Sequence, residues 1–210
     1  MLHLFSGPFV FHTQAKNHQT YKNEILSKII LEYDENKFKD EYLWTPTSKS
    51  GVKTNYSNMN FSLLTTDQYK DIVWDSVEKL ISHLYSEYSP IKPSNNPPSI
   101  YDCDISSIWW NIYASGDYVE LHNHCPAGVS GIYLIDLPED TKNTTVFVHN
   151  NDYALSHNVQ MWSQKHIADY AKEGDVILFP SSMYHYVNAS SGRKVSISFN
   201  VNINFKNSIL

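Results

Sequence analysis

His122 and His124 stand two residues apart in Tyr118-Val-Glu-Leu-His122-Asn-His124, and a third histidine, His185, closes the segment Phe179-Pro-Ser-Ser-Met-Tyr-His185. Neutral imidazole is a ligand for Fe, Zn, Cu or Ni. Three protein ligands leave coordination positions open to water or substrate, as in catalytic rather than closed structural centres. The neighbourhood of the pair is rich in Tyr, Val and Leu, which favours extended chain, where residues i and i+2 project from one face. Two imidazoles so placed reach one ion. A helix would need a spacing of three or four, as in His-Glu-x-x-His, so the pair predicts a mononuclear metal held on a sheet. Its third ligand, His185, arrives from an element close in space but distant in sequence.

Other polar residues near the pair receive plainer readings. Glu120 shares strand parity with both histidines and could add a carboxylate, but is expected to face solvent at the cavity mouth. Asp117 has the wrong parity and reads as a turn residue. Cys125 points away from the pair if the strand persists, as a small buried or half-buried thiol. His149, His157 and His166 read as surface or lid positions. Gly116 marks a turn and Gly131 a close packing point. Trp109 and Trp110 face opposite ways on a regular strand, one toward the core and one toward the cavity or sheet surface.

The elements that must position these residues divide into a helical first half and a β-rich second half. Residues 1 to 15 read as a short strand and a turn, and Ile25, Ile29 and Ile30 give a helical stripe between Asn17 and about Tyr33. Asp34 to Asn60 reads as loop with short extended pieces. Thr65-Thr66-Asp67 caps a second helix, whose Ile72, Val73, Val77, Leu80, Ile81 and Leu84 recur at helical spacing to about Tyr88. A linker with Pro90, Pro93, Pro97 and Pro98 follows. Strands are then predicted at about 100 to 114, 117 to 124, 129 to 136, 144 to 149, 175 to 180 and 194 to 205, with a shorter one at 184 to 188. The segment from Asn150 to Lys172 reads as a long surface loop with a short helix near Lys165 to Ala171, a candidate cover for the cavity. Short strands joined by Gly, Asn, Asp and Pro turns predict a sandwich or jelly roll. The helices have too little chain to hide their apolar faces alone, so they are expected to pack on one sheet. The expected organisation is one domain over 1 to 210, with a mixed N-terminal part (1 to 99) and a core at 100 to 205.

Composition excludes several function classes. With 41% hydrophobic residues over 210 positions, the chain can fill one core. A net charge of -6 supplies no basic footprint, so neither nucleic acid nor an anionic membrane is an expected partner. No apolar run approaches the roughly 20 residues of a membrane helix. Two cysteines without a CxxC pair indicate neither a disulfide framework nor a four-cysteine zinc site. The expected setting is the cytoplasm, and the sequons at Asn143 and Asn188 read as chance.

Four linked motifs carry a resemblance. They are Trp110-Asn111-x-Tyr113-x-x-Gly116; His122-Asn-His124 followed by Ser130-Gly131-Ile-Tyr133; Glu173-Gly174-Asp-x-Ile-Leu-Phe179-Pro180-Ser181 with His185 beyond; and Lys194-Val-Ser196-Ile-Ser198-Phe-Asn200. In this order the chain resembles the 2-oxoglutarate- and Fe(II)-dependent oxygenases of microbes and phages, a branch related to the prolyl 4-hydroxylases. The resemblance spans about residues 100 to 201. It implies a mainly β fold, a double-stranded β-helix (a cupin-like jelly roll) with the N-terminal helices on one sheet. It further implies Fe(II) at His122, His124 and His185, with 2-oxoglutarate and O2 as cosubstrates. His124 stands where the wider superfamily carries a carboxylate, although His-x-His is the usual form of this branch.

Lys194 falls where the family carries the Arg that anchors the far carboxylate of 2-oxoglutarate, with Ser196 two residues on. Parity supports Lys194 over its neighbour Arg193, the fallback anchor, because Lys194, Ser196, Ser198 and Asn200 share a polar face opposite Val195, Ile197 and Phe199. Tyr113 and Asn111 share parity on their own strand, and Tyr113 matches the tyrosine that donates to 2-oxoglutarate in similar enzymes. The implied activity is hydroxylation of an unidentified small-molecule or peptide substrate, by a protein that could form a homodimer. Two other readings are a three-histidine cupin-type dioxygenase that needs no 2-oxoglutarate and a non-enzymatic jelly-roll binding module stapled by metal.

Overall fold

The computed structural model describes residues 9–44, 50–88, 101–149 and 164–205. Among these residues ten strands run in chain order: β1 (Phe11–Gln14), β2 (Lys53–Thr54), β3 (Tyr101–Tyr113), β4 (Val119–His122), β5 (Val129–Asp136), β6 (Thr145–His149), β7 (Gln164–Ile167), β8 (Asp175–Pro180), β9 (Tyr184–Val187) and β10 (Lys194–Phe205). They form a six-stranded sheet in the order β1-β8-β5-β10-β3-β2 and a four-stranded sheet in the order β4-β9-β6-β7. Every pairing is antiparallel. The fold is mainly β, two sheets enclosing a cavity, as the double-stranded β-helix expectation requires. No described helix is long and apolar enough to cross a membrane.

The alternation of side chains along β3 and β10 decides the layering, because successive residues of a strand face opposite ways. Ile108 and Trp110 of β3, with Val195, Ile197 and Phe199 of β10, point to the outer face of the large sheet. Against them pack Ile25 and Ile29 of α1 (His18–Asn36), and the helical run of α2 (Thr66–Gln68), a π-helical stretch (Tyr69–Trp74) and α3 (Asp75–Tyr88) adds Ile72, Val77, Leu80 and Leu84. The helices therefore cover one sheet, and burying their apolar stripes is what stabilises them. A capping box starts the second helical run: the Thr65 hydroxyl accepts from the Gln68 backbone N–H, and Gln68 Oε1 accepts from that of Thr65.

The N-terminal half also supplies both edges of the large sheet. β1 pairs with β8, and β2 pairs with β3 through Thr54 and Asn111. The β2 edge is stitched down by side chains: Thr54 Oγ1 donates to the Trp110 carbonyl (2.9 Å) and Asn55 Oδ1 accepts from the Trp110 N–H (2.8 Å). Glu32 of α1 completes the joint, accepting from the Trp110 indole and the Asn55 amide, both at 3.1 Å.

Three expectations need correction. The strand predicted at 117 to 124 is only Val119–His122, because Asp117 closes a turn: its carboxylate accepts the N–H groups of Ala114 (2.7 Å) and Gly51 (2.8 Å). The short helix expected near 165 to 171 is replaced by β7, whose Ile167 pairs with Val146 of β6, followed by a turn. Cys125 is exposed rather than buried, since the strand ends before it and the chain turns outward. The proline linker at 90 to 98 and His157 lie outside the described residues.

Gly131 is a packing point, as expected. A Cβ built there would lie 2.1 Å from Phe199 Cζ, and the Phe199 ring is fully buried beneath the helices with no room to retreat. Gly131→Ala is expected to destabilise the protein by about 1–3 kcal/mol, read from the midpoint of chemical denaturation.

Candidate metal and anion site

Inward-facing residues of both sheets line one cavity. At one part of its wall stand the three histidines. His122 of β4 is the cross-strand partner of His185 of β9, and their ring centroids are 4.2 Å apart. His124 comes from the turn after β4, with its ring centroid 5.0 Å from each of the others. One ligand nitrogen from each lies within 4.8 Å of the other two. The three histidines named from the sequence stand together, but the sequence did not show how His124 arrives. It is placed by its backbone N–H, which donates to the Ser181 carbonyl (2.8 Å), not by strand parity.

The orientation of two rings follows from their neighbours. His122 Nδ1 lies 2.7 Å from the Glu120 carbonyl and His185 Nδ1 lies 3.2 Å from the Met183 carbonyl. A carbonyl only accepts, so each Nδ1 carries the proton and each Nε2 keeps its lone pair. Burial disfavours the charged form of all three: it lowers the pKa of His122, takes His124 to about 4 with help from His122, and holds His185 well below the usual histidine range. Three neutral nitrogen donors on one side of a cavity fit a first-row divalent metal.

Elsewhere on the cavity wall, Lys194 is 2% exposed, with its Nζ 4.4 Å from the centre of the Tyr113 ring. Among the described residues no carboxylate pairs with it. Burial lowers its pKa to about 7. Beside it Asn111 Nδ2 donates to Ser198 Oγ (3.1 Å), while Asn111 Oδ1 is buried with no partner. Burial also raises the pKa of the Tyr113 hydroxyl, so it stays a proton donor. A desolvated cation without a counterion, next to a phenol O–H, is costly unless an anion occupies the space, whereas the unpaired Asn111 Oδ1 is an acceptor and calls for a donor.

The other predicted residues sort cleanly. Ser196 lines the same cavity as Lys194, whereas Arg193 points outside and pairs with Asp136 at 2.9 Å, so it cannot serve as the fallback anchor. Adjacent residues of β10 necessarily face opposite ways. Glu120 sits at the exposed mouth and accepts from the Trp44 indole at 3.1 Å. Trp109 stands on the cavity wall 5.3 Å from His124, and Trp110 is core. Several wall residues were not anticipated, Trp44 and Thr145 among them. Trp44, whose ring is 5.0 Å from His122, came from a stretch read as loop, and Thr145 carried no motif. Both meet the site only through contacts between distant segments.

Residues 107–200 match the family model described as "Putative 2OG-Fe(II) oxygenase". No curated protein matches the sequence. Among solved structures, the fold is similar to a prolyl hydroxylase of Trichoplax adhaerens in complex with a hypoxia inducible factor peptide fragment (TM-score 0.54, 14% identity, covering 92% of this chain and 83% of that one). It is similar to a Pseudomonas putida prolyl-4-hydroxylase (TM-score 0.54, 10% identity, 94% of each chain). A third likeness is to the non-heme alpha ketoglutarate dependent carbocyclase SnoK from nogalamycin biosynthesis (TM-score 0.56, 9% identity, 95% and 83%).

The unpaired Lys194 generates a stability prediction. Its pKa is lower folded (about 7) than unfolded (ordinarily 10.5), so the unfolded chain binds the extra proton between those values. The penalty is fully present below pH about 7 and fades as pH rises toward 10.5. Lys194→Met is expected to raise the melting temperature of the metal-free, ligand-free protein at pH 6 to 7, and the gain is expected to shrink at pH 9 to 10.

Proposed function

We propose that this protein is a 2-oxoglutarate- and Fe(II)-dependent oxygenase that hydroxylates a small-molecule or peptide substrate, a reading supported by the match of residues 107–200 to the family model. The observation that carries the reading is the combination, in one cavity, of three neutral imidazoles and a buried lysine with no counterion. Metal-stapled binding modules need the first but not the second.

In this reading His122, His124 and His185 would hold the Fe(II), and Lys194 would bind the far carboxylate of 2-oxoglutarate. When bound, the two groups supply the oxidation: O2 is reduced as 2-oxoglutarate becomes succinate and CO2, and one oxygen atom enters a substrate C–H bond. The protein's own residues bind, orient and exclude water. Lys194 supplies a point charge, without the two-pronged fork of arginine, so register along the carboxylate depends on Tyr113 and Ser196 beside it. The Asn111 amide offers a further polar contact. Phe179, Trp109 and Ile132 complete a largely apolar wall, where electrostatic contacts are stronger than in water.

His124 in place of a carboxylate leaves the centre one unit more positive than two histidines and a carboxylate would. That difference favours anionic ligands. It is also the feature shared with three-histidine dioxygenases that use no 2-oxoglutarate, so the decisive measurement is the cosubstrate itself.

Purified protein with Fe(II), ascorbate and candidate substrates is expected to convert 2-oxoglutarate to succinate. Lys194→Met, folded and more stable when free, is expected to lose 2-oxoglutarate binding by calorimetry. Retained oxidation in that variant identifies a dioxygenase independent of 2-oxoglutarate; metal binding without any turnover or 2-oxoglutarate binding leaves a stapled module. Binding a carboxylate requires the ammonium form of Lys194, whose pKa is about 7 before binding. Affinity for 2-oxoglutarate is therefore expected to fall as pH rises above 7, by up to about tenfold per unit, with proton uptake visible in buffers of different ionisation enthalpy.

A further inference from the structure

A line of four buried polar side chains crosses the inner face of the large sheet and ends at His124. Ser107 of β3, Asn200 of β10 and Ser130 of β5 are register partners across three neighbouring strands, and Ser181 follows the end of β8, the next strand along. Ser130 Oγ donates to Asn200 Oδ1 (2.7 Å) and Asn200 Nδ2 donates to Ser107 Oγ (2.7 Å). Ser130 and Ser181 share a hydrogen bond at 2.8 Å. A hydroxyl has one proton, and that of Ser130 is committed to Asn200, so Ser181 is the donor to Ser130. All four are at least nine-tenths buried, where a broken link leaves an unsatisfied group.

The far end of this line is where His124 is held. Ser181 accepts the His124 N–H at 2.8 Å and donates its own N–H to the Gly128 carbonyl at 3.2 Å, while Ala127 N–H closes back on the His124 carbonyl at 3.3 Å. His122 and His185 are fixed by cross-strand register and by carbonyls two residues away in their own strand segments. His124 lies beyond β4 and has no ladder partner, so its place depends on where Ser181 is held.

We infer that Ser107, Asn200, Ser130 and Ser181 form a positioning relay that sets His124 within the metal triad. The inference rests on the reading of the histidines as a metal centre. None of the four is a catalytic residue; they act through the backbone of one ligand, as outer partners of metal ligands do.

The test is Co(II) binding to tag-free, metal-free protein, followed by the visible absorption of the bound ion. Ser130→Ala is expected to bind Co(II) roughly 10- to 100-fold more weakly than the wild type and to change the absorption band, which reports ligand geometry. In a His124→Ala background, adding Ser130→Ala is expected to change the affinity no further, because the relay then has nothing to position. Unaltered affinity and spectrum in Ser130→Ala, even with a lower melting temperature, overturn the relay and leave these residues as core hydrogen bonds. An equal loss in both backgrounds also overturns it. If Ser130→Ala does not fold, Ser181→Ala removes the same link with less disturbance, and the same outcomes decide. A wild-type protein that binds no Co(II) removes the metal centre itself, a failure distinguishable from a triad that binds metal regardless of the relay.

Discussion

Buried polar groups must find partners, and the inner face of the large sheet is organised by that constraint. Along β10, Lys194, Ser196, Ser198 and Asn200 all point into the space between the sheets. At the Asn200 end the demand is met within the protein, by Ser107, Ser130 and Ser181. At the Lys194 end it is not: the ammonium lacks an anion and Asn111 Oδ1 lacks a donor. One strand thus carries a satisfied half and an unsatisfied half. An unsatisfied cluster of this kind is a local cost in stability that the rest of the fold must absorb.

The outer face absorbs it. Val195, Ile197 and Phe199, interleaved with those polar residues, pack with Trp110 under the helices, so the strand that carries the buried lysine is held by its opposite side. The fit between Gly131 and the Phe199 ring leaves that face little freedom to shift. Glu32 and Asn55 extend the same rigidity to the β2 edge, next to Asn111 and Tyr113. The helical half therefore braces the cavity although, among the described residues before β3, Trp44 alone contributes to its wall.

At the histidines the same low-dielectric surroundings act in the opposite sense. Burial and mutual repulsion keep the rings neutral, which leaves lone pairs available for a metal without a prior loss of protons. Backbone carbonyls direct two of them, and aromatic neighbours such as Trp44 and Phe179 restrict ring rotation. A divalent metal held by the three imidazoles, with a lysine nearby, would concentrate positive charge in one cavity and favour an anionic ligand.

Much of this was legible in local sequence because period-two alternation and residue chemistry are local properties. The His122, His124 and His185 set, the polar face of β10, the opposed Trp109 and Trp110 and the tight packing at Gly131 all follow from them. Parity alone separated Lys194 from Arg193. Other features depend on which distant segments meet. The start of β4 is set by Asp117 accepting from Gly51, and the carbonyl that holds His124 belongs to Ser181. Trp44 reaches His122 across a separation that no periodicity records. The 165 to 171 stretch looked helical by its local residues, yet β6 offered an unpaired edge and the chain filled it as a strand. The sequence by itself determined which groups could bind a metal and an anion; only the tertiary structure decided that the lysine would be stripped of water and partner, because burial is a property of the packed sheets and not of the residue.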